Sequence, residues 1–140
     1  MAQEKRSHTN VDLVRRYLQA FAGGGVDAIA QYWDPDVSWR AIEGAPDDVG
    51  EMHGTEALRG YVQEWVDMFE DFAVALEDIR EVGDGRVIAV QRLSGRAKIS
   101  GAETDFRYAA VYVVRGDKIV GGREYMTLDE ALAAVGRTGG

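Results

Sequence analysis

The first third of the chain carries apolar residues at helical spacing. They recur every three or four positions ahead of the glycines at 23–25, which predicts a first helix of about three turns. Thr9 or Asn10 is placed to cap the start of this helix, and the glycines are placed to end it. The apolar positions are Val11, Val14, Leu18 and Phe21.

Two more helices are predicted by the same spacing. The second holds apolar residues from Val26 to Trp33 and ends at Asp34-Pro35, because a proline drives the residue before it out of the helical region. The third is the longest, and we expect Thr55 to cap it. Its apolar positions are Leu58, Tyr61, Val62, Trp65 and Phe69.

The remaining segments predict strands and turns. Residues 37–42 predict a strand, whereas the segment Glu43–His53 is rich in Gly, Asp and Pro and predicts a loop, placed to act as a lid. From Phe72 onward the period of the apolar residues changes to two, which predicts four antiparallel strands. The expected turns between them lie at 82–85, 100–101 and 116–117.

This order of elements is typical of the α+β class. We expect a cone-shaped, curved antiparallel sheet with three N-terminal helices packed on its concave face. A short C-terminal helix follows, opened by a capping box from Thr127 to Glu130 and closed by Gly136. We expect a flexible leader over residues 1–8, one domain over residues 9–136 and a flexible tail over residues 137–140.

Both faces of the later strands carry apolar residues. Ile88 and Val90 lie on one face of their strand, while Val87 and Ala89 lie on the other. An apolar face must be covered, so the helices would cover one face and a second copy of the chain the other. We therefore expect a homodimer through the convex face of the sheet.

Composition narrows the classes of function. The 140 residues suit one domain, and the net charge of −8 without a basic stripe argues against a nucleic-acid partner. The chain has no cysteine, few histidines and no phosphate-binding loop, so we expect no metal and no cofactor. Its polar N-terminus and the lack of a long apolar run predict a cytoplasmic protein without a membrane span.

The most informative candidate for chemistry is Glu124. It lies in the apolar, glycine-containing segment 118–126, where it shares a strand face with Gly122 and Met126. Burying a carboxylate costs several kcal/mol unless it is paired or protonated, and a proton-transfer catalyst exploits that environment. The alternative is a solvated carboxylate, or one paired with an arginine such as Arg107.

Several motifs together resemble a known superfamily over residues 11–136. They are Val14-Arg15-Arg16-Tyr17, the segments Trp33–Trp39 and His53–Arg59, and Gly116–Ile119 running into Arg123-Glu124-Tyr125. The chain resembles the nuclear transport factor 2-like superfamily, and within it the SnoaL-like group. That group includes polyketide cyclases, ketosteroid isomerase and limonene epoxide hydrolase.

The resemblance implies roles for two residues. In SnoaL-like cyclases and in limonene epoxide hydrolase, an aspartate follows an arginine on the last strand and acts as acid or base. Arg123-Glu124 matches that pair with Glu in place of Asp, and the glycines before it would leave room for a ligand. Tyr17 falls where ketosteroid isomerase carries the tyrosine of its oxyanion hole.

The chain also departs from its relatives. The base of the isomerase aligns with Ala41, and both its protonated acid and the histidine of the cyclases align at or near Ala110. The second acid of the epoxide hydrolase would fall near Leu93. The resemblance therefore implies that Glu124 acts as a single general acid or base.

Six further residues are candidates for substrate binding. Tyr108 and Tyr112 share a strand face with Ala110, and Gln91 is a polar residue among apolar strand neighbours. Trp39 would supply a flat wall for a ring. The two tyrosines and Trp39 are equally typical of core or rim residues, whereas Gln91 would orient Glu124 or a ligand. The other two are Leu93 and His53, the latter being a loop histidine that is ordinarily solvated.

These expectations lead to one function and two alternatives. The first is a cofactor-independent enzyme in which Glu124 shuttles a proton on a small apolar or aromatic molecule, as in a cyclase, isomerase or dehydratase, with Tyr17 assisting. One alternative is a non-catalytic ligand-binding or structural dimer. The other is an epoxide hydrolase with a rearranged site, which needs a second acid such as Glu43 or Glu51.

Overall fold

The N-terminal glycines divide one long helical stretch. In the computed structural model, which describes residues 2–42 and 50–139 and the side chains of 10–42 and 50–136, helix α1 runs over Ala2–Ala30. Gly25 lies outside the helical region at φ 66°, ψ −150° and separates two helical segments, as the sequence predicts. The first segment starts ahead of the expected cap at Thr9 or Asn10, and the second ends before the expected stop at Asp34-Pro35.

Within residues 2–42 and 50–139, six strands form one sheet. The elements after α1 are β1 (Trp33–Arg40), β2 (Glu51–His53), α2 (Thr55–Met68), β3 (Phe69–Gly83), β4 (Arg86–Ala97), β5 (Glu103–Arg115), β6 (Lys118–Tyr125) and α3 (Leu128–Gly139). The strand order is β2-β1-β6-β5-β4-β3, so β2 and β3 are the edges of an unclosed sheet. Neighbours are antiparallel except β1 and β6, which run parallel. The α+β class is confirmed.

The segment predicted as a loop contains a strand. Its last residues form β2, which pairs antiparallel with β1 and places Met52 opposite Trp39. Only Met52 is buried in this short strand. A single apolar residue shows no period, so the sequence pattern did not predict the strand. The rest of the expected lid, residues 43–49, lies outside the described residues.

Gly54, and not Thr55, caps helix α2. Gly54 has φ 91°, a conformation that favours glycine, and its N–H donates to the carbonyl oxygen of Val37 at 2.7 Å. No side chain caps the helix, so the expected Thr55 cap was wrong. The helix also ends before Phe69, which adopts an extended conformation and opens β3.

The main core lies between the concave face of the sheet and the two N-terminal helices. Residues of α1 and α2 pack against every second residue of β3, β4 and β5, because side chains alternate across a strand. The α1 stripe is buried along Val14, Tyr17 and Leu18, and Leu58 is the buried contact from α2. These elements leave the middle of the concave face open to a cavity.

Helix α3 covers part of the opposite face. Ala131 packs against Ile88, Ala109 and Val111, so the helix accounts for some of the apolar residues that led us to expect a second copy. The homodimer stays a prediction. Thr127 accepts a hydrogen bond from the Glu130 N–H at 3.1 Å, as a capping box requires, but the helix continues past the expected stop at Gly136. No described helix is long and apolar enough to cross a membrane.

Gly122 offers a test of the packing between β1 and β6. A Cβ at this position would overlap the Trp39 ring, so Gly122→Ala must displace the indole. We expect a loss of about 1–3 kcal/mol in the free energy of unfolding, the usual cost of overpacking. Urea denaturation of the variant and of wild type measures this difference in the free energy of unfolding. Gly60→Ala, in an exposed helical position with open space around it, should instead gain about 0.5–1 kcal/mol, and equal stability of both variants would contradict the packing.

Candidate functional site

A cavity of about 400 Å³ opens between the concave face of the sheet and helices α1 and α2. Its lining is mostly apolar and aromatic, with a few polar groups. A dry cavity of about 150 Å³ holds benzene, so this one has room for a molecule of about two rings. The lining residues are Tyr17, Leu18, Phe21, Ile29, Trp39, Ile42, Leu58, Tyr61, Val62, Trp65, Phe72, Val74, Gln91, Leu93, Phe106, Arg107, Tyr108, Tyr112, Glu124 and Met126.

Glu124 lies in the lining of this cavity, half-buried on β6. It stands opposite Ala110 of β5, on the same face of the sheet as the cavity tyrosines. The indole Nε1 of Trp39 donates a hydrogen bond to its Oε2 at 3.0 Å. The alternating pattern of β6 turns Arg123 to the other face, where its guanidinium lies 5.6 Å from the centre of the Tyr125 ring.

Arg107 has a carboxylate partner at the surface. Its guanidinium pairs with Glu77, and the alternative of a Glu124–Arg107 pair stays a prediction. One hydrogen-bond donor to Glu124 is the neutral indole of Trp39. A neutral donor orients a carboxylate without cancelling its charge.

Gly122, two residues before Glu124, makes room for the ring of Trp39 and not for a ligand. Trp39 on β1 is the register partner of Gly122 on β6, and its ring occupies the space that a side chain at Gly122 would take. From there the indole reaches Glu124 and contacts Tyr112 at 5.4 Å between ring centres. Trp39 is therefore both a wall of the cavity and the partner of its carboxylate.

Gln91 joins two cavity tyrosines. It is 2% exposed and sits opposite Tyr108 in the β4–β5 register. Its Nε2 donates to the Tyr108 hydroxyl at 2.7 Å, and its Oε1 accepts from the Tyr112 hydroxyl at 2.5 Å. The isolated polar residue of the sequence thus has both halves of its amide satisfied inside the cavity wall.

Tyr17 has a partner that its sequence pattern did not reveal. The indole Nε1 of Trp33 donates to the Tyr17 hydroxyl at 3.0 Å. The ring of Tyr17 meets Tyr112 edge-on at 5.8 Å, so α1 delivers its hydroxyl to the tyrosines of β5. The apolar spacing predicts Trp33 in the second helix, and this prediction was wrong, because Trp33 is the first residue of β1. The signal that the sequence offered for this contact was a tryptophan four residues ahead of the predicted strand over 37–42.

Three of the four tyrosines that line the cavity are buried and remain protonated at neutral pH. Burial raises the pKa of Tyr17, Tyr108 and Tyr112 above the ordinary value of 10.0, and the charge of Glu124 adds to each rise. The hydrogen bond from Trp33 opposes the rise in the pKa of Tyr17 without cancelling it. These side chains therefore act as neutral hydroxyls that donate hydrogen bonds, and not as bases.

Of the two remaining candidates, one lines the cavity and the other lies at the surface. Leu93 lies in the cavity lining. His53 does not: its side chain is 71% exposed, and its Nε2 lies 2.9 Å from the carboxylate of Glu51 at the surface. The structure therefore brings Glu124, the three tyrosines and the other predicted contacts together, and leaves His53 outside.

Glu124 is the only carboxylate in the described lining of the cavity. Glu51 faces His53 at the surface, and Glu43 lies outside the described residues. Across residues 10–42 and 50–136, no group of three or more His, Cys, Asp or Glu side chains is arranged to hold a metal ion. The polar side chains of the described cavity wall include one acid, four tyrosines, one amide and the guanidinium of Arg107.

Comparison with known proteins identifies the family. Residues 14–122 match the family model of the SnoaL-like domain. An uncharacterised protein of Mycobacterium tuberculosis is 33% identical over 111 residues, which cover 79% of this chain and 82% of that protein.

Two solved structures show the same fold. Bal32a, from a soil-derived mobile gene cassette, superposes with a TM-score of 0.74 at 24% identity, covering 84% of this chain and 88% of that one. A candidate polyketide cyclase from Xanthomonas campestris pv. campestris superposes with a TM-score of 0.71 at 24% identity, covering 92% and 98%. With the family match over most of its length, the chain belongs to the SnoaL-like family and has its nuclear transport factor 2-like fold.

Proposed function

We propose that the protein is a cofactor-independent enzyme that moves a proton on a small apolar or aromatic molecule, with Glu124 as general acid or base. One observation carries the proposal: a single carboxylate in the lining of a mostly apolar cavity, oriented by a neutral indole. A general base must reach the proton it removes and must keep its own position while doing so. Trp39 supplies that orientation for Glu124.

The tyrosines supply the complementary half of the chemistry. When Glu124 takes a proton from the carbon beside a carbonyl, the C–H bond breaks and its electron pair moves to the carbonyl oxygen. Neutral hydroxyl donors in a dry site stabilise that oxyanion. Tyr17 and Tyr108 are placed in the same cavity as neutral donors.

The fate of the oxyanion decides the reaction class. Returning the proton to another carbon gives an isomerisation, and expelling a neighbouring hydroxyl as water gives a dehydration. Attack of the enolate carbon on a second carbonyl of the same molecule gives a cyclisation. All three reactions need one acid that alternates between protonated and ionised forms. The described lining holds one such group, the carboxyl group of Glu124.

The two alternatives place different demands on the cavity. An epoxide hydrolase needs a second acid, and the described lining holds only Glu124. A non-catalytic binding protein needs the apolar cavity and would use Glu124 only to accept a hydrogen bond from the ligand. Proton exchange on a bound ketone separates this alternative from the enzyme.

Glu124→Gln tests the proposal because it keeps the shape of the side chain and removes its basicity. We expect the wild-type protein to exchange the acidic C–H protons of 2-tetralone, a two-ring ketone, for deuterium in a saturable reaction followed by NMR. The variant should lose about 10²-fold to 10⁴-fold of this rate, the usual contribution of a positioned acid or base.

The matched control is Glu103→Gln, which removes an exposed carboxylate from β5. It should exchange 2-tetralone at the wild-type rate. If Glu124→Gln binds and exchanges the ketone as well as wild type does, Glu124 is not the base and the proposal fails. If wild type binds the ketone but does not accelerate its exchange, the non-catalytic alternative gains.

The protonated tyrosines lead to a prediction for alkaline pH. The folded chain holds their protons above pH 10, whereas the unfolded chain releases them near pH 10, so folding stability is full below that pH and falls as the pH rises above it. Tyr17, Tyr108 and Tyr112 should therefore ionise only as the chain unfolds.

The measurement pairs ultraviolet absorbance of tyrosinate with near-ultraviolet circular dichroism during an alkaline titration. Of six tyrosines, no more than three should ionise while the native dichroism persists. Ionisation of all six in the native protein would show that the cavity does not bury these hydroxyls.

A further inference from the structure

Gln91 does more than fill space between two tyrosines, because its amide treats them differently. A side-chain amide has an oxygen that accepts and a nitrogen that donates. The Gln91 oxygen takes the hydroxyl proton of Tyr112, whereas the nitrogen gives a proton to the hydroxyl oxygen of Tyr108. The hydroxyl proton of Tyr112 is therefore already used in a hydrogen bond, whereas the hydroxyl proton of Tyr108 is still available to donate.

The retained proton of Tyr108 lies in the cavity wall. Tyr108 lines the cavity beside Gln91, Tyr112 and Glu124. Its oxygen is occupied by the Gln91 amide, so the hydroxyl is left to act as a donor. Tyr17 is prepared in the same way, since the Trp33 indole donates to its oxygen.

We propose that Gln91 is a positioning residue that fixes Tyr108 as the hydrogen-bond donor to a carbonyl or enolate oxygen of a planar ligand of about two rings. This inference rests on the proposed function for its ligand class. It adds a division of labour that the cavity lining alone does not contain: Tyr112 anchors the amide, the amide sets the direction of Tyr108, and Tyr108 contacts the ligand.

The substitution that tests it is Gln91→Glu. An ionised carboxylate accepts from both tyrosines, so Tyr108 turns its proton away from the ligand. A protonated carboxyl group has one O–H donor and one carbonyl acceptor, and so it reproduces the amide. Burial raises the pKa of a carboxyl group, which brings this change of state into a range where folded protein is measurable.

The infrared carbonyl band of bound 2-tetralone reports the donor directly. In wild type we expect the band at lower frequency than for 2-tetralone in cyclohexane, at all pH values where the protein is folded. In Gln91→Glu it should shift back toward the cyclohexane frequency as the pH rises, and return to the wild-type frequency as the pH falls. Tyr108→Phe should show the high frequency throughout.

The rate of deuterium exchange should change with pH in parallel with the carbonyl frequency. Loss of one oxyanion donor costs about 10²-fold to 10³-fold in kcat. We therefore expect Gln91→Glu at high pH to lose kcat for deuterium exchange with little change in KM, and to recover it at low pH. Gln19→Glu, on the exposed surface of α1, controls for the added charge and should match wild type in both measurements.

The outcomes separate this inference from the proposed function. A shifted band that Tyr108→Phe or Gln91→Glu leaves unchanged overturns the role of Gln91, even if Glu124→Gln abolishes exchange. A band that behaves as expected, with no exchange in wild type, supports the role of Gln91 and overturns Glu124 as the base. Failure of wild type to bind 2-tetralone overturns the ligand class proposed here.

Discussion

The parallel pairing of β1 with β6 is the constraint on which the site depends. It brings together two segments far apart in the chain and sets Trp39 against Gly122. Because a glycine offers no side chain, the indole lies across β6 and reaches the carboxylate on the next residue of that face. A register shifted by one residue would turn Glu124 or Trp39 to the other face of the sheet and separate them.

The polar groups of the cavity wall are satisfied by partners on neighbouring elements. A polar atom inside an apolar cavity is costly without a partner. Here the identified partners are uncharged: an indole for Glu124, a second indole for Tyr17 and an amide for Tyr108 and Tyr112. The charge of Glu124 in turn contributes to the raised pKa of Tyr17, Tyr108 and Tyr112.

Local patterns in the sequence were enough to assign faces of the sheet. Gln91, Tyr108, Tyr112 and Glu124 reach one cavity because alternation along a strand is set by the backbone of that strand alone. The same holds for the two helical segments separated at Gly25. These features depend on neighbours within a few positions, which is the distance over which a periodic pattern is informative.

Partners across the fold were beyond the reach of those patterns. The indole of Trp33 meets Tyr17, and that of Trp39 meets Glu124, only because β1 is placed between the helices and β6. The short β2 carries too few apolar residues to show a period, and its pairing at the sheet edge leaves His53 at the surface. Long-range pairing determined these positions, and a single sequence does not display it.

Family membership and site chemistry therefore carry different information about this protein. The SnoaL-like match fixes the fold, but one fold hosts many reactions. The positions at which the resemblance implies the partner acids of the relatives hold Ala41, Leu93 and Ala110 here, and none of these side chains can carry a proton. The described cavity wall holds instead one carboxylate, a Tyr17 hydroxyl that accepts from Trp33 and a Tyr108 hydroxyl that accepts from Gln91. A site with one acid and several neutral donors is suited to stabilising an oxyanion on a substrate that supplies its own acidic C–H bond, and not to activating water.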